Sequence, residues 1–143
     1  PSKGDLSFAE ITLSRHVFVD RLRGISEAET TSGARLLRFI DLYRAAADGG
    51  RSLCLCVALS VTQTALPDDT KAELAAFHQD VAAWLETVFR LGQADGSIRG
   101  ITNPRAEAEA AMAHVEGAQI IARSAQDIAR FEAAVTALVA RTL

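Results

Sequence analysis

The sequence predicts an all-α domain, a six-helix bundle that forms a two-fold dimer through its last two helices. Alanine, the strongest helix former, makes up roughly a fifth of the chain. Aromatic residues, which favour β-strands, make up only 6%. Apolar residues recur every three or four positions over long stretches, as they do along one face of an α-helix. The 143 residues suffice for one domain whose core needs no metal or disulfide.

The first two helices are predicted over residues 1–24 and 33–47. Ser2 and Asp5 have the spacing of a capping box, which marks a helix start. The first helix carries two apolar stripes on nearly opposite faces, so we expect it to pack against two different bodies. One stripe consists of Phe8, Ile11, Phe18, Val19 and Leu22, and the other of Leu6, Ala9, Leu13 and Val17. Asp48-Gly49-Gly50 ends the second helix.

The middle of the chain predicts a buried third helix and a long fourth helix. Residues 51–65 form an apolar run without turn residues, which favours a buried helix over a strand. Pro67, Asp68 and Asp69 suit the positive end of a helix dipole, so the fourth helix begins there and continues to Gly92. Its apolar residues recur every three or four positions along the whole helix: Leu74, Phe77, Val81, Trp84, Leu85, Val88 and Leu91.

The last two helices are predicted to form the dimer interface. Asn103-Pro104 begins the fifth helix, which runs to about Arg123, and Ser124 and Asp127 form a capping box for the sixth. The fifth helix is apolar on opposite faces, and only one of them can point into its own bundle. The other face therefore needs a partner, which we expect to be a second copy of the chain. The predicted interface residues are Ala110, Ala113, Gly117, Ile121, Ile128, Phe131, Val135 and Leu138.

Charge and hydropathy argue against several classes of protein. A net charge of -3 and a pI near 5.6 argue against a surface that binds nucleic acid as a whole, since such domains are usually strongly basic. No apolar stretch is long enough to span a membrane, and the N-terminus lacks the apolar core of a signal peptide. Cys54 and Cys56 lack further ligands at zinc spacing, which favours a reducing cytoplasm and no metal site.

No motif for catalysis or for a cofactor is present. The chain lacks the glycine-rich phosphate loops, the nucleophile elbow and the HExxH zinc motif, so we expect neither an enzyme nor a cofactor. His16, His78 and His114 lie at the edges of apolar stripes, where a packed or hydrogen-bonded histidine is commoner than a reactive one. The two cysteines would diverge on a helix and are expected to be small buried residues; a redox- or electrophile-sensing thiol is the alternative.

The opening segment PSKGDL resembles the junction between the DNA-recognition helix and the fourth helix of TetR-family transcriptional regulators. The later pattern is also similar, with Leu66-Pro67 opening a long helix that contains Trp84, and with Asn103-Pro104 opening the next. The resemblance implies that residues 1–143 form the ligand-binding and dimerisation domain. Residues 1–24 would then be the helix that links it to a helix-turn-helix head preceding this chain.

Two expectations about the first helix follow from this resemblance. Leu6, Ala9 and Leu13 should be more exposed than their apolar character suggests, because the missing head is their natural cover. Lys3 should contact a DNA phosphate, because free backbone N–H groups and the dipole favour an anion at a helix start. Operator DNA would bind only through the missing N-terminal domain.

The resemblance also implies an effector cavity among the second to fifth helices. Their inward residues would form a mostly apolar site with a few polar anchors, suited to a small lipophilic effector. The predicted ligand-binding residues are Phe39, Tyr43, Cys56, Ser60, Val81, Trp84, Met112, Val115 and Gln119.

The sequence thus predicts a cytoplasmic, homodimeric, ligand-responsive repressor of the bacterial type, with no membrane partner. Two alternatives stay open. One is a free-standing helical adaptor or phosphotransfer module, and the other is a helical-bundle enzyme with an unrecognised site.

Overall fold

Six α-helices account for most of residues 3–143, the part of the chain that this computed structural model describes. They are α1 (Lys3–Ala28), α2 (Ser32–Ala46), α3 (Leu55–Val61), α4 (Asp68–Asp95), α5 (Pro104–Ala125) and α6 (Ile128–Val139). Two short 3-10 turns, Asp48–Gly50 and Gln63–Ala65, flank α3. The all-α prediction with six helices is confirmed. The predicted cap at Ser2 lies outside the described residues.

Helix α4 is the centre of the bundle, because it packs against α1, α2, α3 and α5. Helix α6 packs on the other side of α5. The inward stripes of these helices meet in one continuous core, whose largest fully buried side chains include Leu36, Phe39, Ile40, Tyr43, Leu85, Phe89 and Phe131. None of the helices within residues 3–143 combines the length and the apolar character needed to cross a membrane.

The ends of α5 and α6 agree only in part with the capping signals in the sequence. As predicted, Pro104 is at the start of α5, and the Asn103 side chain accepts a hydrogen bond from the backbone N–H of Ala106. The predicted capping box of Ser124 and Asp127 is wrong, because α5 continues through Ser124. Asp127 alone caps α6, accepting a hydrogen bond from the Ala129 N–H.

Helix α3 is much shorter than the helix predicted over residues 51–65. It has seven residues, and of these only Cys56 and Val57 are buried, whereas Val61 is exposed. Cys54 is extended and precedes the helix as its N-cap. The apolar run crosses the surface between α2 and α4, so only part of it reaches the core. Cys54 and Cys56 therefore do not lie together on a helix, and the prediction that they diverge on one is wrong.

Helix α1 has one buried face and one exposed apolar face, as predicted. Leu6 and Leu13 are 51% and 66% exposed, whereas Leu22 is 2% exposed. Phe8 departs from the prediction, since it is exposed rather than buried with its stripe. The buried face of α1 lies against α4, where Arg15 binds two carboxylates. Its Nε is 2.7 Å from an Asp80 oxygen, and its Nη1 is 3.1 Å from a Glu73 oxygen.

The predicted dimer residues divide into two groups. On α5, Ala110, Ala113 and Ile121 are exposed and Gly117 is half-buried. On α6 the prediction needs correction, because three of its residues are buried within their own chain and so are not available to a partner: Phe131, Val135 and Leu138 are 0%, 1% and 5% exposed. Ile128 is half-buried against the same core. The apolar stripe of α6, whose residues recur every three or four positions, therefore packs within its own chain.

The start of α2 is held closely against the turn that follows α4. The Gly33 N–H donates to Ser97 Oγ at 2.7 Å, and the Ser32 N–H donates to Asp95 Oδ2 at 3.0 Å. These bonds satisfy amides that a helix start leaves without intrahelical partners. A Cβ atom on Gly33 would lie 2.6 Å from the Ser97 carbonyl oxygen, so only glycine fits.

We expect Gly33→Ala to lower the free energy of unfolding by about 1–3 kcal/mol, because a backbone atom must move to admit the methyl group. The matched control is Gly24→Ala. Gly24 also lies in a helix, but nothing stands within 4 Å of its added Cβ. That substitution should be neutral or stabilise by up to about 1 kcal/mol. Chemical denaturation of both variants measures the difference, and equal effects would contradict the close contact.

Candidate ligand-binding site

A pocket of about 290 Å³ lies where α1, α2, α3 and α4 meet. Its walls come from four segments of the chain, and most of them are apolar. The lining residues are Leu13, Ser14, Val17, Phe18 and Arg21 of α1, Leu42, Tyr43 and Ala46 of α2, Cys54, Leu55 and Cys56, and Phe77 of α4. A hollow of about 410 Å³ beside Trp84 is walled by α1 and α4 alone. The first pocket is therefore the better candidate for enclosing a molecule.

The pocket has a buried floor and an open rim. Tyr43, Cys56 and Phe77 are buried and form the floor. Leu13, Val17 and Arg21, one helical turn apart along α1, are exposed and form the rim. Arg21 is the only charged residue in the lining. A molecule in this pocket would meet apolar surface below and a single positive charge at the mouth.

Phe18 fixes the position of α1 over this floor. Its ring meets the Tyr43 ring edge-on at 5.8 Å between centroids and lies 5.2 Å from the Phe77 ring. Tyr43 in turn packs edge-on against Phe39 at 5.1 Å. Such arrangements are favoured between aromatic rings and fix their relative orientation. Rings from α1, α2 and α4 therefore meet at the floor of the pocket.

Gln119 of α5 joins the two chain segments that form the inner wall. Its Nε2 donates to the Tyr43 carbonyl oxygen at 2.8 Å, and its Oε1 accepts from the Cys54 N–H at 3.0 Å. The side chain is fully buried. Both ends of the amide are thus satisfied, and the end of α2 is held at a fixed distance from the start of α3.

The Tyr43 hydroxyl has no hydrogen-bond partner among the described residues, although it is buried. An unpaired buried hydroxyl costs about 1–3 kcal/mol of stability. Burial raises the pKa of Tyr43 well above its ordinary value, and the nearby groups Cys54, Glu116 and Cys56 raise it further. The hydroxyl therefore stays protonated at neutral pH.

The same surroundings act on the two thiols. Burial raises the pKa of Cys54 to about 11 and raises the pKa of Cys56 as well. Both thiols are free. Sensing thiols need a lowered pKa and access to solvent, whereas burial in this wall raises the pKa of both thiols. Glu116 itself is bound to His78, with 2.8 Å between Nε2 and Oε1, and this hydrogen bond raises the pKa of His78.

The sequence finds no counterpart among known protein-family models or curated proteins. Solved structures, in contrast, match it over almost its whole length. A TetR-family transcriptional regulator from Agrobacterium tumefaciens is 27% identical, with a TM-score of 0.91 over 99% of this chain and 75% of that one. The regulatory protein TetR from Rhodobacter sphaeroides is 26% identical, with a TM-score of 0.86 over 99% of this chain and 77% of that one.

The chain has the fold of the C-terminal domain of TetR-family regulators. E. coli NemR in its reduced form shares this fold at 20% identity, with a TM-score of 0.83 over 99% of this chain and 75% of that one. The resemblance inferred from PSKGDL and the later helix starts is confirmed.

Within this TetR-type domain, two of the nine predicted ligand-binding residues, Tyr43 and Cys56, line the pocket. Two others contact these two residues through hydrogen bonds: Gln119 binds the Tyr43 carbonyl, and the Ser60 hydroxyl donates to the Cys56 carbonyl at 2.7 Å. Trp84 lies at the other hollow, where its indole N–H donates to Ser26 Oγ. The remaining four are core residues that do not line the pocket: Phe39, Val81, Met112 and Val115.

The sequence analysis missed the contribution of α1 to the pocket. Leu13 and Val17 belong to the stripe that the sequence predicts to be covered by a preceding domain, yet both line the rim. Ser14 and Arg21, about two turns apart, stand on the same side. Polar residues on an otherwise apolar stripe were the signal that could have indicated a pocket wall.

Two of the three histidines have hydrogen-bond partners. His78 binds Glu116, and His114 Nε2 binds the Ala134 carbonyl oxygen. Within residues 3–143, no group of three His, Cys, Asp or Glu side chains is placed to hold a metal ion.

We expect the Cys54 thiol to react slowly with iodoacetamide. A pKa of about 11 instead of about 9 leaves roughly 100-fold less thiolate at pH 8. The Cys56→Ala variant isolates Cys54, and mass spectrometry follows its alkylation in the folded and the urea-unfolded protein. Equal alkylation rates in the folded and the unfolded protein would contradict the burial of the Cys54 thiol.

Proposed function

We propose that this chain is the effector-binding and dimerisation domain of a ligand-responsive transcriptional repressor. The observation that carries the proposal is the match to TetR-family regulators along 99% of the chain at a TM-score of 0.91. The solved chain extends beyond the match, since only 75% of it is covered. In the proposed regulator, a helix-turn-helix head precedes α1, and Lys3 at the start of α1 contacts a DNA phosphate. The domain itself catalyses no reaction.

The effector occupies the pocket where α1, α2, α3 and α4 meet. Its apolar lining and buried aromatic floor favour a small lipophilic molecule. Four of the originally predicted residues, Tyr43, Cys56, Ser60 and Gln119, belong to this pocket or to the hydrogen bonds that shape its wall. Of the other predicted residues, Phe39, Val81, Met112 and Val115 belong to the core.

A thermal-shift screen of apolar metabolites tests the effector site, with Ala46→Trp as the key variant. Ala46 lines the pocket, so an indole there should fill it and abolish the shift. Ala45→Trp is the matched control, because Ala45 is exposed on α2 and does not line the pocket. A ligand present at 100 times its Kd stabilises the wild type and the control by about 2.7 kcal/mol.

Two outcomes of this screen would contradict the proposed site. A compound that stabilises the Ala46→Trp variant as much as the wild type binds elsewhere. The absence of any stabilising compound from a broad apolar library would argue against an effector-binding role. In the intact regulator, a compound that binds the pocket should also release operator DNA in a gel-shift assay.

The dimer forms through the exposed face of α5. Ala110, Ala113 and Gly117 are small residues that let two helices approach closely, and Ile120 and Ile121 add apolar surface at 41% and 44% exposure. Helix α6 contributes its exposed residues, such as Ala133 and Ala137, instead of the seam predicted from sequence. An obligate interface of this kind should bury at least about 1,200 Å² in total.

Gly117→Leu should convert the dimer to monomers. Nothing lies within 4 Å of a Cβ on Gly117, so the side chain fits the isolated fold and clashes only with a partner. Light scattering reports the mass, and circular dichroism confirms that the helices remain. Gly24→Leu, another helix glycine with open space around it, should stay dimeric. A dimeric Gly117→Leu variant, or a monomeric wild type at micromolar concentration, would place the interface elsewhere.

A further inference from the structure

The Tyr43 hydroxyl is a buried oxygen of the pocket floor for which none of the described residues provides a hydrogen-bond partner. The ring is held by Phe18 and Phe39, so its direction is fixed by packing and not by a hydrogen bond. No nitrogen, oxygen or sulfur of the described residues accepts its proton, including the sulfurs of Cys54 and Cys56. Buried polar groups in proteins nearly always have a partner, and exceptions often mark functional sites.

The surroundings of this hydroxyl decide which kind of partner fits. Glu116 places a negative charge near the inner wall, and its hydrogen bond to His78 holds it there. Burial and this charge raise the pKa of Tyr43 and of both thiols, so the inner end of the pocket disfavours any anion. The single positive charge of the lining, Arg21, is exposed at the opposite, open end.

A hydroxyl that stays protonated can donate one hydrogen bond to a neutral acceptor. The rings of Phe18 and Phe77, which also line the pocket, offer flat apolar contacts to the rest of a bound molecule. We propose that the pocket selects an uncharged, flat apolar molecule with one hydrogen-bond acceptor, such as a carbonyl oxygen, which displaces the side chains that cover the Tyr43 hydroxyl and accepts its hydrogen bond. This inference rests on the proposed effector site and adds the chemical class of the effector.

Binding of two naphthalene probes with the same ring system tests this inference. Acetylnaphthalene has a carbonyl oxygen, and ethylnaphthalene lacks it. Tyr43→Phe removes only the hydroxyl and should raise the Kd of acetylnaphthalene about tenfold, the effect of losing one buried hydrogen bond. The Kd of ethylnaphthalene should stay the same or fall. Isothermal titration calorimetry measures both.

A stability measurement separates this role from a structural one. If the hydroxyl has no partner in the free protein, Tyr43→Phe should unfold at the same denaturant concentration as the wild type or at a higher one. Thr12→Val is the matched control, because the Thr12 hydroxyl is also buried without a partner but does not line the pocket. It should leave the affinity for both probes unchanged. A Tyr43→Phe variant that is clearly less stable would overturn the inference, since its hydroxyl would then have a structural partner.

The remaining outcomes distinguish the inference from the proposed function. If both probes bind the wild type and Ala46→Trp blocks them, but Tyr43→Phe affects neither, the effector site stands and the acceptor inference fails. If naphthoate binds more tightly than acetylnaphthalene and Arg21→Gln abolishes the gain, the pocket selects an anion, and the inference is again overturned. If no probe binds the wild type, the effector site itself is refuted, and the inference falls with it.

Discussion

The buried amide of Gln119 is the interaction on which the shape of the pocket depends. It reaches from α5 past the core to the end of α2 and the beginning of the α3 segment, and binds a backbone carbonyl on one and a backbone N–H on the other. Between these two points the chain makes a turn in which Asp48, Gly49 and Gly50 have positive φ. Without the amide, the carbonyl of Tyr43 and the N–H of Cys54 would lose the side chain that ties their segments together. The position of the inner wall therefore depends on a side chain of α5 that does not itself line the pocket.

Helix α1 is the opposite wall, and it is held by a different kind of interaction. Phe18 packs on the aromatic floor, while Arg15, one turn earlier, binds two carboxylates of α4. These ion pairs are partly exposed and contribute little stability individually, but they fix the helix in register with α4. In the proposed regulator this wall is also the helix that leads to the DNA-binding head. A molecule in the pocket would then touch that helix directly.

The sequence predicted the long helices well because each has apolar residues at helical spacing and clear end signals. Asn103-Pro104 is an example, since an N-cap side chain and a proline at the first helical position act locally. The residues 51–65 were harder, because a continuous apolar run has no period and does not show how much of it reaches the core. Phe131, Val135 and Leu138 show another limit: spacing predicts that a face is packed, but not which chain packs against it.

The candidate site was predictable only in part, for a similar reason. Tyr43 and Cys56 lie on inward positions of their elements, which the apolar pattern indicates. Inward position alone does not distinguish them from Phe39 or Val115, which fill the core. A pocket arises where neighbouring elements fail to fill the space between them, and that depends on the angle at which helices cross. The unpartnered state of the Tyr43 hydroxyl likewise depends on the three-dimensional arrangement of several segments.

The shortness of α3 has a consequence for how quickly the pocket exchanges its contents. A helix of seven residues is too short to be stable alone, and two buried side chains give it little anchorage in the core. Segments of this kind unfold locally at a much lower free energy than the domain as a whole. The wall that carries Leu55 and Cys56 is therefore held mainly by the Gln119 bond at Cys54 and by two buried side chains. Residence time would then be governed by fraying of these seven residues, and a substitution on the exposed side of α3 could change dissociation rates without touching a bound molecule.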